Sequence, residues 1–187
     1  MLNTILGSFS SGVVIPTSSY ESIATVSVGA GGSSSIDFTS ISSGYSHLQI
    51  RLISRLSGTG TSAQSNTIRF NSDSGTNYRS HFLLGNGSSA SAFDGGAATR
   101  LFNGIGADGD NTSGIFGSVI IDILDYANTN KYKVTRTLGG LDANGSGELT
   151  LISGLWLSTS AITSISIIPE AGNYVQYSHF ALYGIKG

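Results

Sequence analysis

Apolar and polar residues alternate in short runs from residue 20 to residue 183, and each run stops in a cluster of Gly, Ser, Asn or Asp. A period of two puts alternate side chains on opposite faces of a pleated strand, so each run has one face to bury and one to leave wet. The first predicted strand covers residues 20–28, with Ala24, Val26 and Val28 on one face, and Gly29-Ala30-Gly31-Gly32-Ser33 breaks it. Ile36 and Phe38 mark a short second strand. Residues 45–53 alternate most regularly, with Leu48, Ile50 and Leu52 inward and His47, Gln49 and Arg51 outward. Further strands are predicted around Ile68 and Phe70 and over residues 79–84, 115–124, 132–138, 148–157, 161–168 and 175–183.

The segments between them carry turn chemistry. Asn71-Ser72-Asp73-Ser74-Gly75-Thr76-Asn77 offers side-chain oxygens to nearby backbone amides, with Gly75 the expected site of positive φ, and Gly85-Asn86-Gly87 holds an Asn-Gly hairpin pair. Residues 88–114 alternate least, with one weak strand near residues 99–102, and read as an irregular excursion. Nine or ten strands at this spacing predict an all-β fold, a single antiparallel β-sandwich of jelly-roll type over residues 20–187. Residues 1–19, rich in Ser and Gly and interrupted by Pro16, read as an extended N-terminal arm.

Composition narrows the function classes. Charged residues make up 11% of the 187, against roughly 25% in ordinary soluble proteins, so polarity comes from Ser, Thr, Asn and Gly. Such a neutral, hydrogen-bonding surface suits lasting contact with protein or saccharide. Nine basic residues scattered singly, at a net charge of -2, give no stripe to follow a phosphate backbone, and nucleic-acid binding is not expected. Zero cysteines remove disulfides and thiolate metal sites. Neither a secretion signal nor a membrane span is predicted. With two prolines, strand edges lack proline protection, which predicts cover by another subunit: a homo-oligomer, with a trimer favoured.

Several motifs invite chemistry and each has a plainer reading. Gly104-Ile105-Gly106-Ala107-Asp108-Gly109 matches the dinucleotide fingerprint, but Asp110-Asn111-Thr112-Ser113-Gly114 follows where a helix is required. Two oxygen clusters, Asp108, Asp110 and Asn111, and Asn71, Asp73 and Asn77, are of the kind that Ca²⁺ accepts, yet neither has EF-hand spacing. His47, His81 and His179 sit within strand patterns, and no G-x-S-x-G accompanies them. Asp122, Asp125 and Glu148 do not predict a carboxylate pair across a cleft. Trp156, between Leu155 and Leu157, reads as core or subunit interface before it reads as a sugar platform. No catalytic, cofactor or metal residue is assigned, no cofactor is expected, and the chain is expected not to be an enzyme.

Four segments carry a resemblance: Tyr20-Glu21-Ser22-Ile23-Ala24-Thr25-Val26, Tyr45-Ser46-His47-Leu48-Gln49-Ile50-Arg51, Arg69-Phe70-Asn71-Ser72-Asp73-Ser74-Gly75-Thr76-Asn77-Tyr78 and Leu182-Tyr183-Gly184-Ile185-Lys186-Gly187. In this order they resemble structural proteins of tailed bacteriophages, especially phages of aquatic bacteria. The resemblance implies a non-enzymatic virion part, assembled in the host cytoplasm and released by lysis. It implies either a capsid decoration (cement) protein held on the major capsid protein by its N-terminal arm, or a tail-fibre or receptor-binding module reading a host surface glycan. Decoration is the preferred placement, because a fibre needs a long shaft. For the glycan reading, the loops around residues 58–65 and 85–110 are the expected contact points.

Overall fold

A computed structural model describes residues 19–60 and 63–187, so the predicted arm over residues 1–19 lies, apart from Ser19, outside the described residues. The described residues form twelve strands and no helix. In chain order these are β1 (Tyr20–Ser27), β2 (Ile36–Phe38), β3 (His47–Ser54), β4 (Ala63–Phe70), β5 (Tyr78–Gly85) and β6 (Ala90–Asp94). There follow β7 (Leu101–Ala107), β8 (Gly117–Leu124), β9 (Lys133–Asp142), β10 (Gly147–Trp156), β11 (Ile165–Pro169) and β12 (His179–Ile185).

They make two antiparallel sheets. The larger has eight strands in the order β1-β12-β3-β8-β9-β10-β5-β6, and the smaller has four in the order β2-β11-β4-β7. The chain shuttles between them: β1, β3, β8 and β12 lie together in the large sheet, and β2, β4, β7 and β11 make up the small one. Two excursions extend the large sheet beyond that set. The β9–β10 meander continues from β8, and the β5–β6 hairpin adds to the far side of β10.

The alternation that predicted β3 points Leu48, Ile50 and Leu52 into the space between the sheets. There they join Val119, Ile121 and Ile123 of β8, Phe180 and Leu182 of β12, and Ile68, Phe70, Ile165 and Ile167 of the small sheet in one buried cluster. Each fully buried side chain of this size contributes roughly 1.5–3 kcal/mol of transfer free energy.

The irregular excursion predicted over residues 88–114 is instead two strands. β6 pairs along β5, with Phe93 stacked on Phe82 at 4.6 Å between ring centroids. β7 is buried along nearly its whole length although Asn103, Gly104 and Gly106 sit within it. Gly104, at φ 78, and a register shift against β4 between Ser65 and Thr67 bend the strand. A strand whose apolar residues are interrupted by Asn103, Gly104 and Gly106 gives no regular apolar period to read. The turn after β4 also differs from expectation: Asn71 and Ser72 take the left-handed conformation, at φ 51 and 58, and Gly75 does not.

Candidate interaction surface

The extension of the large sheet inverts the usual distribution of side chains. β7 packs against the inward faces of β8, β9 and β10, and several of the residues it meets on β9 and β10 are small. Gly139 faces Gly104 so closely that an added Cβ would lie 3.4 Å from its Cα and 3.3 Å from Val119 Cγ2. Gly154 is backed by the Thr135 hydroxyl and Leu101 in the same way. The hydroxyl of Thr137 donates to Asn103 Oδ1 at 3.0 Å. Where the backbones approach most closely the inward positions are Gly139, Gly154 and threonines such as Thr137 and Thr150. Of the large apolar residues of β9 and β10, Val134, Leu138, Leu149 and Leu151 therefore occupy the opposite, outward face, while Leu141, Ile152 and Trp156 stay inside.

On that face the cross-strand register aligns Ile120, Leu138, Leu151 and Leu83 in one row over β8, β9, β10 and β5. Ile53 and Leu149 belong to the next row, and all six are exposed, Leu149 to 62% and Leu138 to 53%. At ~4.8 Å between strands and ~6.8 Å between same-face positions, this patch spans roughly 20 Å across the sheet. Contiguous apolar patches on a soluble monomer seldom exceed a few hundred Å², and those that do mark contact sites.

The patch is not flat. Gly140, between Ser118 on β8 and Leu149 on β10, leaves a shallow apolar groove walled by Ile53, Ile120 and Leu138. The groove opens into a cleft of about 760 Å³ between the Gly85-Asn86-Gly87 corner and the 145–147 turn, with Phe116, Asp142 and Glu148 in its walls. Burial pushes the Glu148 carboxyl above its usual range.

The polar margin of the patch is internally neutralised. Asp122 accepts from Gln49 Nε2 at 2.8 Å and from Arg136 Nη2 at 2.9 Å. Burial alone would raise the Asp122 carboxyl, but these bonds outweigh it and hold the group below its ordinary value. Arg51 donates to Gln49 Oε1 at 2.8 Å and lies over the rings of Tyr20 and Tyr183 at 5.8 and 5.5 Å.

The motifs noted in the sequence fall elsewhere, in fixed structural roles. The 104–109 glycine motif is the end of β7 and the loop after it. That loop is clamped by Arg55, whose guanidinium donates to the carbonyls of Gly109, Asn111, Thr112 and Ile115. Asp108 Oδ1 accepts from the Asp110 amide and Asn111 Nδ2, and Asp110 Oδ2 accepts from the Gly60 amide. In the other cluster, Asp73 accepts from Trp156 Nε1 at 2.7 Å, from Asn77 Nδ2 and from the Gly75 amide. Asn71 Oδ1 accepts from the amides of Thr163 and Ser164. Among the described residues no group of three or more His, Asp or Glu could hold a metal ion.

The histidines do not converge. His47 Nδ1 accepts from the Asp125 amide at 3.0 Å, His81 pairs with Asp94 across the β5–β6 ladder, and His179 borders the groove. Asp125 binds Lys131 while Asp122 binds Arg136, so the two carboxylates serve separate partners. Trp156 is 2% exposed and packs against Phe70 and Tyr78, which removes it as a sugar platform. Sequence reasoning groups Leu149, Leu151, Leu155 and Leu157 on one face of their strand but does not show that this face is outward, and it misses the Arg55 clamp. The Thr and Gly residues at alternate positions of β9 and β10 were the available signal for the first. Comparison with protein-family models, with curated proteins and with solved structures finds no match.

Proposed function

We propose that this chain is a non-enzymatic structural component of a bacteriophage virion, a capsid decoration protein that works by holding neighbouring subunits. The observation that carries a holding role is the uncovered apolar face of the large sheet, bordered by charges that already have partners. The placement in a virion, with the major capsid protein as partner, rests on the four-segment resemblance and not on the fold alone. The shuttling strand order, β1-β12-β3-β8 against β2-β11-β4-β7, supports a jelly roll with the β5–β6 and β9–β10 excursions as additions. A surface of 11% charged residues favours contacts sealed by apolar groups and neutral hydrogen bonds.

The test is incorporation into particles. Deleting residues 1–19 leaves the sandwich folded and abolishes incorporation; normal incorporation of the deletion rejects docking through that segment. Attachment persists in 1 M salt, where screening reaches in to ~3 Å, and release by salt counts against an apolar contact.

A second reading is favoured by one feature. The cleft beside Gly85-Asn86-Gly87 combines an aromatic ring, Phe116, with Asn86, Ser146 and two carboxylates, a set able to receive a sugar hydroxyl face. As a tail-fibre or receptor-binding module, the protein would bind host glycan there. A glycan array without signal for the assembled protein removes this reading.

A further inference from the structure

The outward face of β9 reads Arg136, Leu138, Gly140, Asp142, in register order from one end of the patch to the other. This is a cation, a knob, a hole and an anion at equal spacing. Such a row is its own complement. A two-fold axis lying between two facing copies, crossing β9 midway between Leu138 and Gly140, sets Leu138 of each copy over Gly140 of the other and Arg136 over Asp142. The same rotation brings Leu149 of β10 against Leu151 of the second copy, since these positions stand in the rows of Gly140 and Leu138. We propose that the outward face of the large sheet pairs with a second copy of this chain about that axis.

Three observations support a copy of this chain as the occupant. The charges on the row are opposite at its two ends, and Arg136, whose side chain is 68% exposed, keeps free donors beyond the one spent on Asp122. Gly140 is not in the left-handed region and lies in the groove with Ile53, Ile120 and Leu138; a Cβ there would meet Leu149 Cδ1 at 3.3 Å and the Glu148 carbonyl at 3.7 Å, and the exposed Leu149 side chain can swing aside to admit a knob from outside. The face is large enough: eight strands at ~4.8 Å by about eight residues at ~3.4 Å give roughly 1,000 Å², against the ~800 Å² per partner of a stable interface. Sheets packed face to face about such an axis need only the small rotation that strand twist imposes. The pairing makes the assembly even-numbered, a dimer or a multiple of one, in place of the trimer favoured by the sequence.

This inference rests on the holding role proposed above, and the experiment separates the two. Sedimentation of the full chain measures the association, with Arg136→Glu and Asp142→Arg made singly and together. Each single change weakens pairing by about 10-fold or more, and the double change restores it. The two positions lie ~20 Å apart on one strand, so rescue requires a second copy. Gly140→Val fills the hole and abolishes pairing while circular dichroism and melting stay those of the parent. A monomeric parent, an odd-numbered oligomer, or an association indifferent to Gly140→Val overturns the pairing. So does a monomer that dimerises only once residues 1–18 are removed, which would give the face to the chain's own leading segment. A chain that is monomeric yet enters particles overturns the pairing and leaves the structural role standing; a paired chain that never enters particles does the reverse.

Discussion

β3 and β10 both place large aliphatic residues at alternate positions, yet they turn those positions in opposite directions. In β3 the apolar set, Leu48, Ile50 and Leu52, is buried, and the outward set includes Gln49 and Arg51. In β10 the leucines at 149 and 151 are exposed, and the buried set is Thr150, Ile152, Gly154 and Trp156. What differs is the partner across the sandwich. β3 shares its cluster with large side chains of β4 and β11, which hold the layers apart, whereas β10 lies under β7, whose Asn103 and Gly104 bring the backbones together. A strand's inner face is thus set by the spacing it must fill, and hydrophobicity alone does not choose it.

The comparison breaks most decisively on truncation. Ile50→Ala should cost about 2–5 kcal/mol in denaturant unfolding, because it leaves a cavity at a fully buried site. Leu151→Ala, on the face that is open in the single chain, should cost the monomer less than about 0.5 kcal/mol. Equal losses would show that the outward leucines are core after all.

A smaller effect is expected from adding atoms where β7 approaches. Gly154→Val collides with Leu101 and the Thr135 hydroxyl and should lower stability by about 1–3 kcal/mol. Melting temperature is the readout, and an unchanged value would mean that the inner faces are looser than the Gly and Thr pattern implies.

The smallest concerns the one aromatic residue on β10's inner face, Trp156. Burial would raise the Asp73 carboxyl, but the bonds from Trp156, Asn77 and Gly75 outweigh it and depress the group below its ordinary 3.8. A carboxylate with a depressed folded value stabilises the fold above its unfolded value and loses that contribution as pH falls through the folded one. Stability should therefore drop as pH falls below about 4, and Asp73→Asn should flatten that limb by on the order of 1 kcal/mol. An acid limb identical in the variant would place the sensitivity elsewhere, with Asp122 the next group to change.

Much of the architecture was legible from residue order. The alternation in residues 45–53, 79–84 and 115–124 located β3, β5 and β8 to within a few positions, and the all-β, two-sheet outcome followed. β6 and β7 were not legible, because β6 is an exposed edge strand and in β7 Asn103, Gly104 and Gly106 interrupt Leu101, Phe102 and Ile105, so neither carries an apolar period. The candidate surface was hidden for a different reason. Period two states that a strand has two unlike faces; which one meets the core depends on β7, a strand the same sequence conceals. The Arg55 clamp was equally silent, since it joins one side chain to carbonyls more than fifty positions away.

The β5–β6 hairpin pairs with β10, so residues 78–85 wait for residues 149–156. On the ribosome the hairpin emerges more than fifty residues before the strand that will flank it, at ~5–20 residues per second. For those seconds β5 presents a bare ladder of amides and carbonyls with Phe82, Leu83 and Leu84 alongside. Closing the large sheet is therefore a late, long-range event, and the nascent chain is most prone to stray pairing just before β10 arrives.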